Sequence, residues 1–315
     1  MQIQKANKIG FNWKIICTGM ILLQSLFYGL MDPLAKIVYM EVPVLSFMML
    51  RNAIAASFIF LLWRKKIIKE LKNVSVKHYI VPCLCMACAF NFSHMALEQT
   101  AATNVAFLRS LSTLMVPLML LIFYHKRYSK KTVLLQLMML LGLYLLCAHG
   151  GLTDFGKGEI YAIIAALLVA GSLVFGRDSL KYIGAETLSF VQSACAVVIC
   201  FVWGMANHDI QKTQWMDIIN PTYFWILIYA ALMCTVGGYL LQNIALRHIS
   251  CHNVGVLQAT YPVITALAAA ILLHEHLSTM GLVGAAIIVS CVVFGGETKG
   301  TSKVKLKLKQ VQPIQ

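Results

Sequence analysis

Long runs of apolar residues, separated by short polar and charged segments, recur along almost the whole chain. Each run holds 18 to 22 residues, and an α-helix needs about 20 residues to cross the hydrocarbon core of a bilayer. The pattern predicts an all-α integral membrane protein with ten transmembrane helices. We number them spans 1 to 10, at residues 13–31, 44–63, 79–97, 103–124, 132–149, 159–176, 187–206, 222–243, 253–274 and 278–295.

The second half of the chain repeats the first at an offset of 149 residues. Without a gap, residues 96–129 align with residues 245–278 and match at nine of 34 positions, among them Asn104 with Asn253 and His125 with His274. Spans 1 to 5 therefore correspond to spans 6 to 10. Because five is odd, the second repeat enters the membrane from the opposite side, which predicts two inverted five-helix repeats at residues 13–149 and 159–295.

The distribution of basic residues predicts the orientation. The chain contains 26 Lys and Arg against 12 Asp and Glu, a net charge of +14. With the N-terminus inside, 21 basic residues fall on the inner side and three on the outer side, which is the bias of cytoplasmic loops. We therefore expect a multi-pass protein of the cell membrane, with both termini and a basic tail at 296–315 in the cytoplasm. This topology accounts for the charge without a nucleic-acid partner.

Two basic residues, Arg51 and Arg109, fall inside predicted spans, where charged side chains are costly and often functional. At 1.5 Å per residue they lie about 10 Å and about 9 Å below the outer helix ends. We expect Arg51 to extend to the outer interface or to pair with Glu41 or Glu98. Arg109 has the same options, and it also belongs to a polar stripe.

Polar residues form stripes on spans 1, 3, 4, 8 and 9, while spans 5 and 10 are almost wholly apolar. Such stripes face protein or water and not lipid, so we predict that these spans, with span 6 by symmetry, line a solute cavity. The alternative is that the polar groups only join helices. The candidate solute-binding residues are Gln24, Tyr28, Asn91, His94, Arg109, Ser112, Thr113, Tyr239, Gln258 and Tyr261. Pro117 and Pro262 are candidate hinges or static kinks.

The sequence gives no reason to expect a metal or another cofactor. Cys83, Cys85 and Cys88 have only His94 as a nearby imidazole and lie among apolar residues, which favours packing over metal binding. A membrane enzyme would depend on the His-Glu-His turn at 274–276, whose spacing differs from that of a helical His-Glu-x-x-His zinc site.

From about residue 13 to residue 295 the chain resembles the EamA-type branch of the drug/metabolite transporter superfamily. The resemblance is carried by Ala-Leu-Arg-His-Ile-Ser at 245–250, by Asn-Val-Gly-Val-Leu-Gln-Ala-Thr-Tyr-Pro-Val-Ile at 253–264 and by His-Glu-His-Leu-Ser at 274–278. The first half departs from the family pattern, with His125 and Lys126 at a turn that is usually Gly-Glu-like. Pro117 also lies one turn beyond the match to Pro262.

The resemblance implies a secondary transporter that moves a small metabolite by alternating access, with the solute and membrane lipids as its partners. Arg109 favours an amino acid or a related zwitterion or anion. An exporter of lipophilic cations is the alternative within the superfamily, but relatives of that kind depend on an acidic residue deep in the first helix, and we place Asp32 at its outer end. A polytopic enzyme is the remaining alternative. The oligomeric state stays open, a monomer included.

Overall fold

The computed structural model describes residues 2–126, 128–147, 156–215, 220–274 and 279–295. Helices are the regular secondary structure of these ranges. The first half contains α1 (Gln2–Val38), α2 (Val44–Asn73), α3 (Ile80–Gln99), α4 (Ala102–Ser110), α5 (Ser112–Tyr124) and α6 (Lys130–Cys147). The second half contains α7 (Lys157–Ser179), α8 (Ala185–Ala206), α9 (Asp209–Lys212), α10 (Pro221–Tyr229), α11 (Gly238–His248), α12 (Cys251–Gln258), α13 (Tyr261–Leu272) and α14 (Thr279–Gly295).

The predicted all-helical membrane architecture is confirmed. Eight helical stretches of the described chain are long and apolar enough to cross a membrane, and a shorter apolar helix covers Thr279–Val293. Helix α6 lies where span 5 is predicted. The exact number of ten spans stays a prediction.

The packing of the helices follows the internal repeat. Helix α3 packs against α7, α2 against α8 and α6 against α14, while α1 packs against α13 and α7 against α4 and α5. Helices α2 and α8 are spans 2 and 7, and α6 and α14 are spans 5 and 10, so each of these pairs joins two equivalent spans of the repeat. The contact of α1 with α13 joins spans 1 and 9. Its repeat equivalent is the contact of span 6, which is α7, with span 4, which comprises α4 and α5. The two halves therefore pack against each other as structural equivalents.

Helices α1 and α2 extend furthest beyond their predicted C-terminal ends. Helix α1 continues through Pro33 to Val38, so that Asp32 lies inside the helix and not at its end. Helix α2 bends at Trp63, which has non-helical backbone angles, and continues to Asn73 through a basic segment predicted to be a loop. Lys, Arg and Glu are good helix formers, so a helix continues readily after it leaves the apolar layer.

Spans 4 and 9 each tighten for about one turn near the middle, at equivalent positions, while the backbone angles stay in the right-handed helical region. We call each tightened turn a break. Span 4 breaks at Leu111, between α4 and α5, and span 9 breaks between Gln258 and Tyr261. The repeat offset aligns Gln258 with Arg109 and Tyr261 with Ser112. At both breaks the hydrogen bonds tighten to three-residue spacing, as in Leu111 N to Leu108 O at 3.1 Å. The hydrophobic pattern runs through both breaks, so periodicity predicts two continuous helices.

The two candidate hinge prolines differ in position. Pro262 lies in the first turn of α13, directly after the break in span 9. Backbone N–H groups in the first turn of a helix have no partner within the helix, so the N–H that proline lacks costs no helical hydrogen bond there. Pro117 lies inside α5, whereas span 4 breaks earlier, at Leu111. The predicted tail at 296–315, residues 148–149 of the first repeat, and Glu275 and His276 lie outside the described residues.

Candidate functional site

A small cavity lies beside the two helix breaks. Its space for the centre of a water molecule is about 40 Å³, and one water needs about 10 to 15 Å³ on that measure, so about three waters fit. The space at this position is therefore too small for a metabolite. The lining comprises Ser25, Tyr28, Met86, Phe90, Arg109, Ser110, Ser112, Thr113, Val169, Gln242, Gln258 and Tyr261, which include six of the ten predicted site residues.

Arg109 is the charged residue of this lining and is 8% exposed. Its guanidinium donates a hydrogen bond to Ser93 Oγ at 3.2 Å, and its Cζ lies 3.9 Å from the ring centre of Tyr261. No carboxylate of the described residues pairs with it within 4.0 Å. Glu41 and Glu98 are both exposed, and neither lies within 4.0 Å of an arginine. The predicted pairing of Arg51 or Arg109 with one of these carboxylates is therefore wrong.

Arg51 is fully enclosed, at 1% exposed, and the prediction that it extends to the outer interface is also wrong. Its Nε donates to Thr235 Oγ1 at 2.7 Å, and its Nη1 lies 3.0 Å from His94 Nε2. Because a guanidinium only donates hydrogen bonds, His94 Nε2 accepts and His94 Nδ1 carries the ring hydrogen. That nitrogen lies 2.7 Å from the Tyr39 hydroxyl oxygen and donates to it.

The hydroxyl that binds Arg51 belongs to an unusual segment of span 8. Between α10 and α11 the chain forms a π-helix, Ala230–Gly237. Thr235 Oγ1 donates to the carbonyl of Ala230, five residues earlier, at 3.0 Å, while it accepts from Arg51. Single π-helical turns occur often at functional sites. This widened turn gives Arg51 a hydroxyl acceptor where the sequence predicts a regular helix.

Three glutamines join spans 1, 8 and 9 at the wall of the cavity. Gln24 Nε2 donates to the Gly238 carbonyl at 3.1 Å and to Gln242 Oε1 at 3.0 Å. Gln258 Nε2 lies 3.0 Å from Gln24 Oε1 and 2.9 Å from Gln242 Oε1. The network holds the end of α12, and therefore the break in span 9, against α1 and α11.

A further hydrogen bond connects the two interrupted helices. Thr113 Oγ1, in the first turn of α5, donates to the carbonyl of Gly255 in α12 at 3.0 Å. Gln136 of α6 donates in turn to the Thr113 carbonyl at 3.3 Å. The broken spans of the two halves are thus joined directly beside the cavity.

Four predicted site residues lie near the cavity without lining it, namely Gln24 in the glutamine network and three others. His94 belongs to the Arg51 network, Tyr239 packs against Phe90 with ring centres 5.6 Å apart, and Asn91 Oδ1 accepts from the Cys200 thiol at 3.0 Å. Phe90 itself was missed, because an aromatic residue in an apolar span carries no compositional signal. Its position four residues before His94 on one helix places both on the same face, which is the signal that finds it.

Asp32 corrects a second sequence-based argument. It is 2% exposed, and its Oδ2 has no hydrogen-bond partner among the described residues. The sequence placed it at the outer helix end, because the apolar run of span 1 stops there. With the helix continuing to Val38, an acidic group lies inside the bundle, so its position no longer argues against a cation exporter.

Other parts of the described chain offer less chemistry. The described ranges contain no group of three or more His, Cys, Asp or Glu side chains placed to hold a metal ion. A larger crevice of about 610 Å³ lies between α5 and α6. Its walls are mostly leucine, valine and proline side chains, and several of them are exposed at the surface of the helix bundle. Such walls suit lipid chains more than a polar solute.

Comparisons with known proteins agree with this architecture. The profile of the EamA-like transporter family matches the chain twice, at residues 15–148 and 156–294. Two proteins of Archaeoglobus fulgidus, each named an uncharacterized transporter, are similar to it. One is 22% identical over 86% of this chain and 82% of its own length, and the other 23% identical over 64% and 70%.

A solved crystal structure superposes with a TM-score of 0.68 at 16% sequence identity, over 90% of this chain and 95% of its own. At that identity the likeness shows the fold alone. The two family matches fall on the two halves that the repeat defines, and together they cover most of the chain. The protein therefore belongs to the EamA-like transporter family.

Proposed function

We propose that the protein is a gradient-driven secondary transporter that carries a small solute with a carboxylate group, an amino acid or a related zwitterion or anion. It acts in the cell membrane by alternating access, with both termini in the cytoplasm. The orientation rests on the bias of 21 inner to three outer basic residues.

The observation that carries the solute class is Arg109. It is a buried guanidinium at the edge of the cavity, without a carboxylate partner in the described chain. A guanidinium binds a carboxylate through two parallel hydrogen bonds, a geometry that the ammonium of lysine cannot reproduce. A solute carboxylate at the cavity edge satisfies this charge, and uncharged molecules leave it unpaired.

The two helix breaks suggest how the cavity opens. In secondary transporters built from inverted repeats, one half rocks against the other around the central site. The two tightened turns lie at equivalent positions beside this cavity. A space for about three waters has to enlarge before a metabolite enters. Because the bond from Thr113 to Gly255 spans the two halves, their separation on that side breaks it. Thr113 is thus part of the contact that keeps the cavity closed.

Export of lipophilic cations is the second candidate, and the buried Asp32, whose Oδ2 has no hydrogen-bond partner among the described residues, favours it. Arg109 opposes it, because its guanidinium borders the cavity and repels a second cation. The two functions differ in the charge of the solute, so one binding experiment separates them.

The first test is Arg109→Lys in purified protein, with binding and liposome uptake measured for a panel of amino acids, carboxylates and organic cations. Losing the paired contact costs about 1.5 to 3 kcal/mol, or about ten- to a hundred-fold in affinity for the carboxylate solute. Arg247→Lys, an exposed arginine at the end of α11, is the matched control and retains affinity. Equal affinity in Arg109→Lys and the unchanged protein contradicts the recognition role.

A further inference from the structure

We infer that Arg109 is a tethered cation that fills an aromatic cage, and that the emptied cage binds a free alkylguanidinium. The cage consists of Tyr28, Phe90 and Tyr261. The inference rests on the proposed solute site and adds a specificity role: by occupying the cage, Arg109 excludes organic cations from a cavity otherwise built to accept them.

The geometry of the cage is that of cation recognition. The Arg109 Cζ lies 3.9 Å from the ring centre of Tyr261, 5.8 Å from that of Phe90 and 5.9 Å from that of Tyr28. Aromatic faces attract a cation within about 6 Å of the ring centre. The rings come from spans 1, 3 and 9, and Tyr28 packs edge-on against Phe90 at 5.4 Å. Three helices thus hold the rings around one positive charge.

The cage has a hydrogen-bond acceptor, and a carboxylate follows one of its rings on the same helix. Ser93 Oγ accepts from the Arg109 guanidinium at 3.2 Å. Asp32 lies four residues after Tyr28 on α1 and therefore on the same face of that helix. It is 2% exposed, and its Oδ2 has no hydrogen-bond partner among the described residues. Aromatic faces and a hydroxyl acceptor, with a carboxylate on one of the cage helices, suit a planar guanidinium.

Arg51 shows what a buried arginine without a cage looks like. One ring, Phe90, lies within cation–π reach of its Cζ, at 5.6 Å. Its hydrogen bonds go to Thr235 and His94, which belong to the network described above. If Arg51 is removed, the vacated space borders the hydrogen-bonding atoms of Thr235 and His94 and the face of one ring, Phe90. One ring does not form a cage. Arg51→Ala is therefore the matched control for Arg109→Ala.

The test uses n-propylguanidinium, which has the chemical form of the arginine side chain. Binding to purified protein is measured by calorimetry and by thermal stabilisation at constant ionic strength. We expect Arg109→Ala to bind it at least about tenfold more tightly than the unchanged protein or Arg51→Ala does. Adding Tyr261→Leu or Asp32→Asn to Arg109→Ala reduces that affinity, and the neutral isostere N-propylurea does not bind.

Three results overturn the inference: no gain in Arg109→Ala, an equal gain in Arg51→Ala, or equal binding of N-propylurea, which indicates simple cavity filling. If Arg109→Ala or Arg109→Gln folds poorly, n-propylguanidinium present during purification restores the folded yield, and failure to restore it also overturns the inference. This test uses no anionic solute, so its outcome is independent of the proposed function. If the protein binds no carboxylate solute, the proposed function is refuted while the cage inference stands on the n-propylguanidinium result. If n-propylguanidinium fails to bind Arg109→Ala, the cage inference is refuted while carboxylate binding by the unchanged protein is unaffected.

Discussion

Gly284→Ala tests the close contact between α6 and α14, the apolar pair that supports the bundle on one side. A Cβ added at Gly284 meets backbone atoms of α6 at short range: the Gly142 carbonyl oxygen, then Leu146 N at 2.5 Å and Leu145 C at 3.0 Å. Backbone atoms of a helix cannot rotate aside as the end of a long side chain does. The methyl group fits only if the two helices move apart.

The expected loss combines two opposing effects. Forcing extra atoms into a packed contact costs about 1 to 3 kcal/mol, and the upper part of that range applies because the obstructing atoms are backbone. Replacing glycine by alanine in a helix returns about 0.5 to 1 kcal/mol. The net loss is about 2 kcal/mol. With an unfolding entropy of about 2.1 cal/mol/K per residue over 315 residues, the melting temperature falls by about 3 °C.

The assay is thermal denaturation of the purified protein in detergent, with two graded controls. Gly142→Ala has its nearest atoms at 3.0 Å, and one of them belongs to the Ile287 side chain, so its melting temperature falls less. Gly19→Ala has nothing within 4 Å and keeps or slightly raises the melting temperature. If Gly284→Ala melts at the same temperature as Gly19→Ala, the packing of α6 on α14 described here is wrong.

Two further predictions concern orientation and the second arginine. A cysteine placed at Lys65 is shielded from an impermeant thiol reagent in intact cells, whereas one at Asp209 reacts; equal labelling of both refutes the proposed topology. Arg51→Gln weakens solute binding less than Arg109→Gln does, because Arg51 does not line the cavity, and a larger loss for Arg51→Gln in an equilibrium binding assay contradicts the assignment.

Much of the fold follows from the sequence, because long apolar runs and an internal repeat are strong signals. Several site residues also follow, since Arg109, Ser112 and Thr113 are polar at helical spacing on one span. The surroundings of Arg51 do not follow. An apolar run shows that a helix is in the membrane but not which way a charge faces, and the partners of Arg51 come from α3 and from the π-helix at Ala230–Gly237.

The helix breaks and Asp32 were missed for related reasons. The hydropathy of a segment reflects its free energy of transfer into the bilayer and does not depend on a local tightening of the helix. The breaks beside Arg109 and Gln258 therefore leave the apolar pattern unchanged. A span predicted from hydropathy ends at the first charge and proline, which placed Asp32 and Pro33 outside it. Tertiary contacts bury the end of α1 all the same, since Asp32 and Ala35 are at most 2% exposed.

We expect the two buried arginines in the middle of the bundle, with Asp32 as the one buried acidic residue of α1, to make the transporter responsive to the membrane potential. Arg51 and Arg109 contribute two positive charges beside the cavity, and Asp32 supplies at most one negative charge, so the empty site is positive whether Asp32 is ionised or neutral. One charge moved through 100 mV changes in energy by about 2.3 kcal/mol. We expect a negative cell interior to hold the empty site open to the cytoplasm, while binding of an anion reduces this bias. On the proposed alternating-access mechanism, we expect voltage to act mainly on the step in which the empty carrier reorients, and to favour outward movement of an anionic solute.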